Sequence, residues 1–252
     1  MWFCVKTEKG RARRMNEDSY LVIDGRSEND CDTVRRGTMF ALADGMGGQK
    51  GGGTVSKMAC QGLLDYYRRE LAADSLSNSQ LKVGLLEKVI NATHDRIQKY
   101  GEENKEYAHM GTTLSVLVLA DNLALIAHVG DSRIYRVRGD HLEQLTEDHT
   151  MAQLSVEMGY LRPQDGAKHP LQHILTQAIG EGVDEIQTKI EEVKDGDTYL
   201  LCTDGIYGNL TDNMIKKILM RDWMDGEVCN RLVETALERG GQDDMTVIVV
   251  RV

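Results

Sequence analysis

Short apolar runs separated by two-residue turns constrain the fold of this chain more than any other feature. The runs lie at 112–120, 123–129, 133–138 and 141–146, and the two-residue turns are Asp121-Asn122 and Gly139-Asp140. Strands joined this closely pair as antiparallel hairpins, because a parallel pair needs a crossover of a dozen or more residues. The centre of the chain therefore predicts antiparallel sheet.

Strand-like runs continue towards the end of the chain. The runs 185–193 and 198–203 flank Asp195-Gly196, which predicts another hairpin. The segment MTVIVVRV (245–252) is apolar enough to be a strand buried on both faces. So many strands in mostly local pairs are easiest to place in two packed sheets.

Four segments carry apolar residues at helical spacing instead: 52–73, 80–101, 212–221 and 225–239. Two long helices between groups of strands imply that helices cover the sheet faces, as in an α+β fold. The chain has only two prolines, no Pro-rich or Ser-rich linker and no internal repeat. We therefore predict that residues 1–252 form a single domain.

The cysteines argue against a disulfide framework and against a structural zinc site. They are Cys4, Cys31, Cys60, Cys202 and Cys229, an odd number with no C-x-x-C pair. No apolar run is long enough to span a membrane, and the first residues do not resemble a signal peptide. A reducing cytoplasm is the expected location.

The net charge of −10, from 30 basic and 40 acidic residues, limits the partners of the protein. Such a surface repels nucleic acid backbones and anionic lipid head groups, so we expect neither nucleic acid nor membrane as a partner. An anionic substrate would need local positive charge, which bound cations could supply.

Acidic residues stand where predicted strands meet loops. They are Glu17, Asp18, Asp44, Asp131, Asp204, Asp243 and Asp244. A single Asp-Gly pair usually forms a turn, because Asp hydrogen-bonds nearby backbone and Gly tolerates positive φ. Asp44 and Asp204, however, follow the apolar runs FALA and YLLC, and loops at strand ends are where rigid scaffolds carry function. The turn interpretation is therefore weaker for the set than for any one pair.

Such a set of carboxylates, if it converges, favours a hard divalent cation. Oxygen ligands without Cys or paired His suit Mg²⁺ or Mn²⁺ rather than zinc or copper. Two carboxylates about 4 Å apart repel by roughly 1 kcal/mol in water and about 4 kcal/mol near a protein surface. Several such pairs would rival the stability of a whole domain, about 5–15 kcal/mol. A cluster of ionised carboxylates therefore needs cations.

Eight segments, taken in order, resemble the metal-dependent serine/threonine protein phosphatases of type 2C in their bacterial form. They are ARRMNEDSY (12–20), ALADGMGG (41–48), MGTTLSVLVL (110–119), AHVGDSRIYR (127–136), LTEDHT (145–150), HP…LTQAIG (169–180), LLCTDGIYGNLTD (200–212) and GGQDDMTVIVV (240–250). The order of the segments, rather than any one of them, carries the resemblance. It implies a β-sandwich of two antiparallel sheets flanked by α-helices, in α-β-β-α layers, with a flap at about 151–175 beside the active site.

The resemblance also implies roles for individual residues. Asp44 would bridge two cations, and the carbonyl of Gly45 would complete the coordination of one. Asp204 and Asp243 would hold the first cation. Asp131, together with Asp204, would build a third and weaker metal site.

Glu17, Asp18 and Arg13 complete the implied site. Glu17 and Asp18 would hold or orient water on the metals. Arg13 would bind the substrate phosphate, because its guanidinium fork matches phosphate oxygens. Arg13 and Asp44 are thus the expected catalytic residues.

The implied activity is hydrolysis of phosphoserine and phosphothreonine in proteins. A water or hydroxide shared by two Mn²⁺ or Mg²⁺ ions would attack phosphorus in line, without a covalent enzyme intermediate. Phosphorylated proteins would be the substrates, and the enzyme would oppose a bacterial serine/threonine kinase. We expect a monomer.

The sequence departs from the family at four places. Met46 and Gln49 occupy both positions where relatives keep a histidine, so the group that protonates the leaving oxygen stays open between a water on the metal and Asp18 acting through water. The segment GGGTVS (51–56) lacks the usual Glu, and its glycines predict a looser helix start. Asp244 stands where Asn is usual, which could tighten metal binding or change the metal preference.

Two alternative functions remain open at this point. A non-catalytic member would bind phosphoprotein or signal through the flap, and loss of Asp44, Asp204 or Asp243 would have favoured it. The third possibility is a phosphatase for small phosphate esters, which relative rates on phosphopeptides and sugar phosphates would distinguish.

Overall fold

The computed structural model describes residues 1–24, 36–47, 51–68, 78–166, 169–223 and 226–252. The strands are β1 (Trp2–Glu8), β2 (Ser19–Ile23), β3 (Thr38–Ala43), β4 (Gly45–Met46), β5 (Gly111–Thr112), β6 (Leu114–Ala120), β7 (Leu123–Val129), β8 (Arg133–Arg138), β9 (His141–Gln144), β10 (Gln187–Glu192), β11 (Thr198–Cys202) and β12 (Met245–Arg251). Sheet I has the order β1-β12-β11-β8-β9, and sheet II has the order β10-β7-β6-β3-β2. β4 and β5 form a separate pair, and every pairing is antiparallel.

Helices cover the outer face of each sheet. They are α1 (Gly52–Gly62), α2 (Asp65–Arg68), α3 (Ser79–Glu103), α4 (Met151–Glu157), α5 (Pro163–Gly166), α6 (Asp204–Tyr207), α7 (Asp212–Leu219) and α8 (Glu227–Glu238). α1 and α3 bury apolar side chains against sheet II, and α7 and α8 do the same against sheet I. The predicted α+β sandwich in α-β-β-α layers is confirmed.

The alternation of side chains along a strand explains these layers. In β3, Phe40 and Leu42 point into the apolar layer between the two sheets, whereas Met39 and Ala41 point towards the helices. Successive side chains of a strand face opposite sides, so a strand between two apolar layers is apolar at every position. That is why FALA and MTVIVVRV are continuous apolar runs.

The central hairpins form as predicted, and the one at Asp195-Gly196 does not. β6 pairs with β7, and β8 pairs with β9. β10, in contrast, pairs with β7 in sheet II, while β11 lies between β12 and β8 in sheet I. Asp195-Gly196 is therefore a turn that carries the chain from one sheet to the other. A two-residue turn signal is local and does not reveal which sheet each flanking strand joins.

The helix predictions agree in type but not always in extent. The predicted helix 52–73 consists of α1 and the short α2, and its last residues lie outside the described ranges. The predicted helix 80–101 is α3, which begins after Asn78, whose side chain accepts hydrogen bonds from the N–H groups of Gln80 and Leu81. The edge strand β1 was not predicted from the sequence.

The sequence argued against a disulfide framework, but one disulfide is present among the described residues. Cys4 in β1 and Cys229 in α8 form a disulfide. Cys60 and Cys202 are buried free thiols, and Cys31 lies outside the described residues. The parity argument failed because two of the five cysteines can pair and leave an odd number over. Separately, no helix in the described residues is long and apolar enough to cross a membrane.

The segment predicted to be a flap, 151–175, contains α4, α5 and a 3-10 turn at Pro170–His173. Thr150 and Leu175 form an isolated antiparallel bridge, and the N–H of Met151 donates to the carbonyl of Ile174 at 2.8 Å. The two ends of the segment therefore lie side by side. Its role as a flap stays a prediction.

Candidate functional site

Strand ends from both sheets surround a cavity of about 290 Å³. Six residues predicted from the sequence line it: Arg13, Asp44, Gly45, Asp131, Asp204 and Asp243. Met46, Gly47, Thr113, His173 and Leu175 complete the lining. The fold thus brings together side chains from widely separated segments of the chain.

Backbone contacts fix Asp44 at the end of β3. Its N–H donates to the hydroxyl of Thr113 at 2.9 Å, and its carbonyl accepts from the N–H of Thr113 at 2.9 Å. The hydroxyl of Thr112 donates to the same carbonyl at 2.8 Å. These bonds satisfy the backbone of Asp44 and leave its carboxylate free to face the cavity.

The Asp131 turn is tied to the same point. The hydroxyls of Thr113 and Ser132 are 2.7 Å apart, which joins the Asp44 turn to the Asp131 turn. Tyr207 donates its hydroxyl to the carbonyl of Asp131 at 3.0 Å. Two of the predicted acidic positions are therefore held relative to each other by buried hydrogen bonds, which gives the cavity a defined shape.

Asp204 lies directly after β11, at the start of α6. Its Oδ1 is buried and has no hydrogen-bond partner among the described residues. Its Oδ2 is 3.9 Å from Nδ1 of His173, a cavity residue that we did not single out from the sequence. His173 follows the HP pair of the resemblance, but only the fold places it against Asp204.

Glu17 and Asp18 are close to the cavity without lining it. Oδ2 of Asp18 accepts hydroxyl hydrogen bonds from Thr246 at 2.6 Å and from Thr203 at 3.2 Å. Oδ1 of Asp18 and Oε1 of Glu17 are buried and have no hydrogen-bond partner within the part of the chain that the structure describes. Each residue therefore offers an unused buried carboxylate oxygen.

The pKa values of Asp18, Asp44, Asp131 and Asp204 are raised. Burial is the largest cause for each, and repulsion from neighbouring aspartates adds to it. The pKa of Asp18 rises to about 7 and that of Asp204 to about 6, and the pKa values of Asp44 and Asp131 lie well above the ordinary range. Without a compensating positive charge, the folded chain resists full ionisation of this site.

Arg13 provides one such charge. Its Nε and Nη2 donate to the two oxygens of Asp243, both at 2.6 Å. This bidentate pair raises the pKa of Arg13 above its ordinary value. The pair must open before Asp243 can use these oxygens for a cation or Arg13 can use its fork for a phosphate.

The oxygen donors of the site fit a divalent cation, although the carboxylates stand too far apart in the described residues to coordinate one together. All the donors are oxygens, and three of them are buried without a partner in the described residues. Within the described ranges, no three Asp, Glu, His or Cys side chains are grouped closely enough to hold an ion. The engagement of Asp243 by Arg13 removes one carboxylate from such a group. Small side-chain movements towards a cation would relieve both the repulsion and the unpaired oxygens.

Close packing explains the glycines at 51 and 52, whereas a Cβ on Gly53 would make only ordinary contacts. A Cβ on Gly45 would lie 2.3 Å from the carbonyl carbon of Gly52, and a Cβ on Gly51 would lie 1.3 Å from the sulfur of Met110. Glycine at 45 and 52 lets α1 approach the turn that follows Asp44. The prediction of a looser helix start missed this contact, since it depends on residues distant in sequence.

Asp244 has a different role from the one that the sequence suggested. Its Oδ1 accepts the N–H of Gly10 and its Oδ2 accepts the N–H of Glu17, both at 2.9 Å. Both oxygens are therefore used by the backbone, so Asp244 is not an additional metal ligand in this arrangement. Gln49 lies outside the described residues, and Met46 lines the cavity.

Comparison with known proteins identifies the family. The pattern of the protein phosphatase 2C family matches residues 16–239. The serine/threonine phosphatase stp of Listeria innocua is 32% identical over 246 residues, which cover 97% of this chain and 93% of the relative. The similarity extends over the segments that carry all the cavity residues.

Solved structures give the same result. The Mycobacterium tuberculosis serine/threonine phosphatase PstP/Ppp superimposes with a TM-score of 0.83 at 31% identity, covering 98% of this chain and 96% of that chain. The catalytic domain of PstP in complex with 2 manganese ions has a TM-score of 0.79 at 30% identity, with the same coverage. By sequence pattern and by fold, this chain belongs to the protein phosphatase 2C family.

Proposed function

We propose that this chain is a metal-dependent phosphatase that removes phosphate from phosphoserine and phosphothreonine in proteins. The observation that carries the proposal is the cavity in which Arg13 and the carboxylates of Asp44, Asp131, Asp204 and Asp243 converge within a protein phosphatase 2C fold. A cavity lined by several carboxylates and one arginine suits cations together with a phosphate.

Each residue has a proposed role. Asp44, Asp204 and Asp243 would hold the cations, with Asp44 shared between two of them, and the carbonyl of Gly45 would supply a further oxygen ligand. Glu17 and Asp18 orient water, and their unpartnered buried oxygens support this role. Asp131 and Asp204 would form a third, weaker site.

The bound cations would supply water of lowered pKa and neutralise charge on the phosphoryl oxygens. The side chains of the site then orient the substrate phosphate and select for it. Arg13 turns its fork from Asp243 to the substrate phosphate, since the geometry of a guanidinium matches two oxygens in either partner. The bonds from Thr112 and Thr113 hold Asp44 in place, so the site does not have to reorganise around the substrate.

Hydrolysis of a phosphothreonine peptide with and without Mn²⁺ tests the proposal. We expect turnover with Mn²⁺, loss of turnover in EDTA, and a decrease in kcat of at least about 10²-fold in Asp44→Asn, the range seen when one transition-state-stabilising group is removed. Asp140→Asn is the matched control, because Asp140 is 83% exposed and pairs only with Lys216 among the ion pairs of the described residues. No turnover by the wild-type protein with Mn²⁺ from neutral to alkaline pH would refute the proposal.

The finer assignments belong to the same proposal. Mn²⁺ is the ion in a similar structure, so Mn²⁺ or Mg²⁺ is proposed here. Faster turnover of phosphopeptides than of sugar phosphates would support protein substrates. A cognate serine/threonine kinase and a monomeric state are also proposed.

The proposed cytoplasmic location has one observation against it. The Cys4–Cys229 disulfide is of a kind that persists mainly outside reducing compartments. Thiol labelling of these two cysteines in cells would decide the matter, since modification of both would favour the cytoplasm.

A further inference from the structure

The segment that carries Arg13, Glu17 and Asp18 belongs to no helix or strand. It runs from residue 9 to residue 18, between the edge strands β1 and β2. A segment without regular structure must obtain its position from contacts with the rest of the molecule. Those contacts decide where the guanidinium of Arg13 stands relative to the carboxylates of the site.

One buried side chain holds both ends of this segment. The carboxylate of Asp244, which is 2% exposed, accepts the N–H of Gly10 before Arg13 and the N–H of Glu17 after it. The two donors bond to different oxygens. Asp244 therefore anchors both ends of the segment from the interior of the protein.

The backbone beside Asp244 extends the same attachment. The N–H of Arg11 donates to the carbonyl of Gly241 at 2.8 Å, and the N–H of Ala12 donates to that of Gln242 at 3.0 Å. Gly10 packs so closely that a Cβ there would lie 2.3 Å from the carbonyl carbon of Asp243. The 9–18 segment thus follows the loop that also presents Asp243.

We propose that Asp244 is a positioning residue for the phosphatase reaction, which fixes Arg13 for phosphate binding. This inference rests on the proposed function. Asp244 acts through the backbone of Gly10 and Glu17 and does not itself touch the substrate. A carboxylate suits the role because it offers an acceptor oxygen to each donor. The asparagine that is usual at this position in the family has one acceptor and would turn an NH₂ towards the other N–H, so the attachment through both oxygens belongs to the aspartate of this chain.

A double-mutant cycle of Asp244→Asn and Arg13→Ala tests the proposal on a phosphothreonine peptide at saturating Mn²⁺. We expect Asp244→Asn to raise KM by about tenfold and to change kcat less. An effect of this size is typical for residues that share contacts. In the Arg13→Ala background the same substitution should change KM by less than about twofold. A residue needed only for stability would weaken both backgrounds equally.

The cycle has a second readout that does not depend on turnover. Hydrogen exchange of residues 9–18 should be about tenfold faster in Asp244→Asn than in the wild-type protein, because one backbone N–H loses its acceptor. Unchanged exchange in this segment, or KM effects that multiply independently in the double variant, would overturn the inference. An inactive wild-type protein would instead refute the proposed function, while hydrogen exchange would still show whether Asp244 fixes the segment.

Two further variants distinguish an effect on the position of Arg13 from a general loss of folding. Asp140→Asn is the matched control and should leave KM, kcat and the exchange of residues 9–18 unchanged. If circular dichroism shows that Asp244→Asn is unfolded, Asp244→Ser replaces it in the same cycle, since serine is smaller and retains one acceptor oxygen. The same outcomes then support or overturn the inference.

Discussion

At the scale of single residues, the site combines groups that oppose each other when no cation is bound. Asp18, Asp44, Asp131 and Asp204 are buried together, and burial and mutual repulsion raise their pKa values. A carboxyl whose pKa is raised by folding binds more protons in the folded state than in the unfolded state. Its contribution to stability is therefore lost as the pH rises from the ordinary carboxyl range through the raised value.

This linkage predicts that removing a site carboxylate stabilises the metal-free protein. In EDTA at pH 8, Asp44→Asn should raise the free energy of unfolding, because the amide removes a buried charge that neighbouring carboxylates repel. The difference from the wild-type protein should shrink as the pH falls towards 4, because Asp44 is then protonated and is uncharged like the amide that replaces it. Chemical denaturation at several pH values measures it.

Comparing two variants isolates this effect from other titrations. Burial lowers the pKa of His128 to about 3, which gives an opposite pH dependence that is common to both proteins and cancels. Adding Mn²⁺ should reverse the order of stability, because only an intact site gains from ion binding. If Asp44→Asn is less stable than the wild-type protein at pH 8 in EDTA, the carboxylates do not repel each other as described.

Individual residues differ in how far the sequence could assign them. Asp44 and Asp204 were identifiable because each stands within two residues of the end of a buried apolar strand, which is a local pattern. The bonds of Asp244 to Gly10 and Glu17 join residues more than 200 positions apart, so no local pattern contains them. The place of His173 in the cavity could not be assigned from the sequence for the same reason, since only the fold places it beside Asp204.

At the scale of elements, the approach of α1 to the Asp44 turn depends on two glycines. A Cβ on Gly45 would meet the backbone of Gly52, and one on Gly52 would lie 2.7 Å from the carbonyl carbon of Gly45. Backbone atoms on both sides leave no flexible group to move aside. The helix and the turn would have to separate.

Alanine at Gly45 should therefore reduce both stability and activity. We expect the free energy of unfolding to fall by about 1–3 kcal/mol, as in other overpacked sites. We expect kcat to fall by about 10²-fold, since a displacement of about 1 Å can have that effect. The control is Gly84→Ala in α3, where a Cβ meets nothing within 4 Å and should stabilise the helix by about 0.5–1 kcal/mol. Equal effects of the two substitutions would contradict the close contact.

The disulfide between Cys4 and Cys229 joins the edge strand β1 to the outer helix α8 across 225 residues of sequence. Cross-links that close long loops restrict the unfolded chain, and typical contributions are about 2–4 kcal/mol. Cys4→Ser/Cys229→Ser should lower the free energy of unfolding by about that amount and leave kcat unchanged, because neither cysteine lines the cavity. Dithiothreitol should destabilise the wild-type protein but not the double variant. Equal sensitivity of both proteins would show that the bond does not form in solution.

Elements were predictable where one local pattern decides them. The hairpins β6-β7 and β8-β9 follow from alternation and short turns, and α3 follows from helical spacing. The assignment of β10 and β11 to different sheets depends on which long-range partners bury their faces. β11 is buried at every position, and it lies between two other strands of sheet I, whereas β10 is a partly exposed edge strand of sheet II.

At the scale of the whole molecule, the four-layer architecture places the site at the strand ends while the apolar layers hold the sheets together. Sequence reasoning reached two packed sheets from strands in mostly local pairs, and helices over the sheet faces from two long helical segments. The order of the layers was implied by the resemblance to the family. The chain as a whole carries a net charge of −10. A phosphorylated substrate therefore approaches a molecule of the same sign of charge.

This charge predicts that the residues around the phosphate group control the rate of encounter. At low ionic strength, kcat/KM should be higher for a phosphothreonine peptide flanked by lysines than for one flanked by glutamates, because the summed field attracts the first and repels the second. Raising NaCl from about 0.05 M to about 0.5 M shortens the screening length to a few ångströms, so the two values should converge. A peptide with neutral flanks is the control and should change least. A preference for lysine that persists at high salt would locate the selectivity in direct contacts within the cavity instead of in the field of the whole molecule.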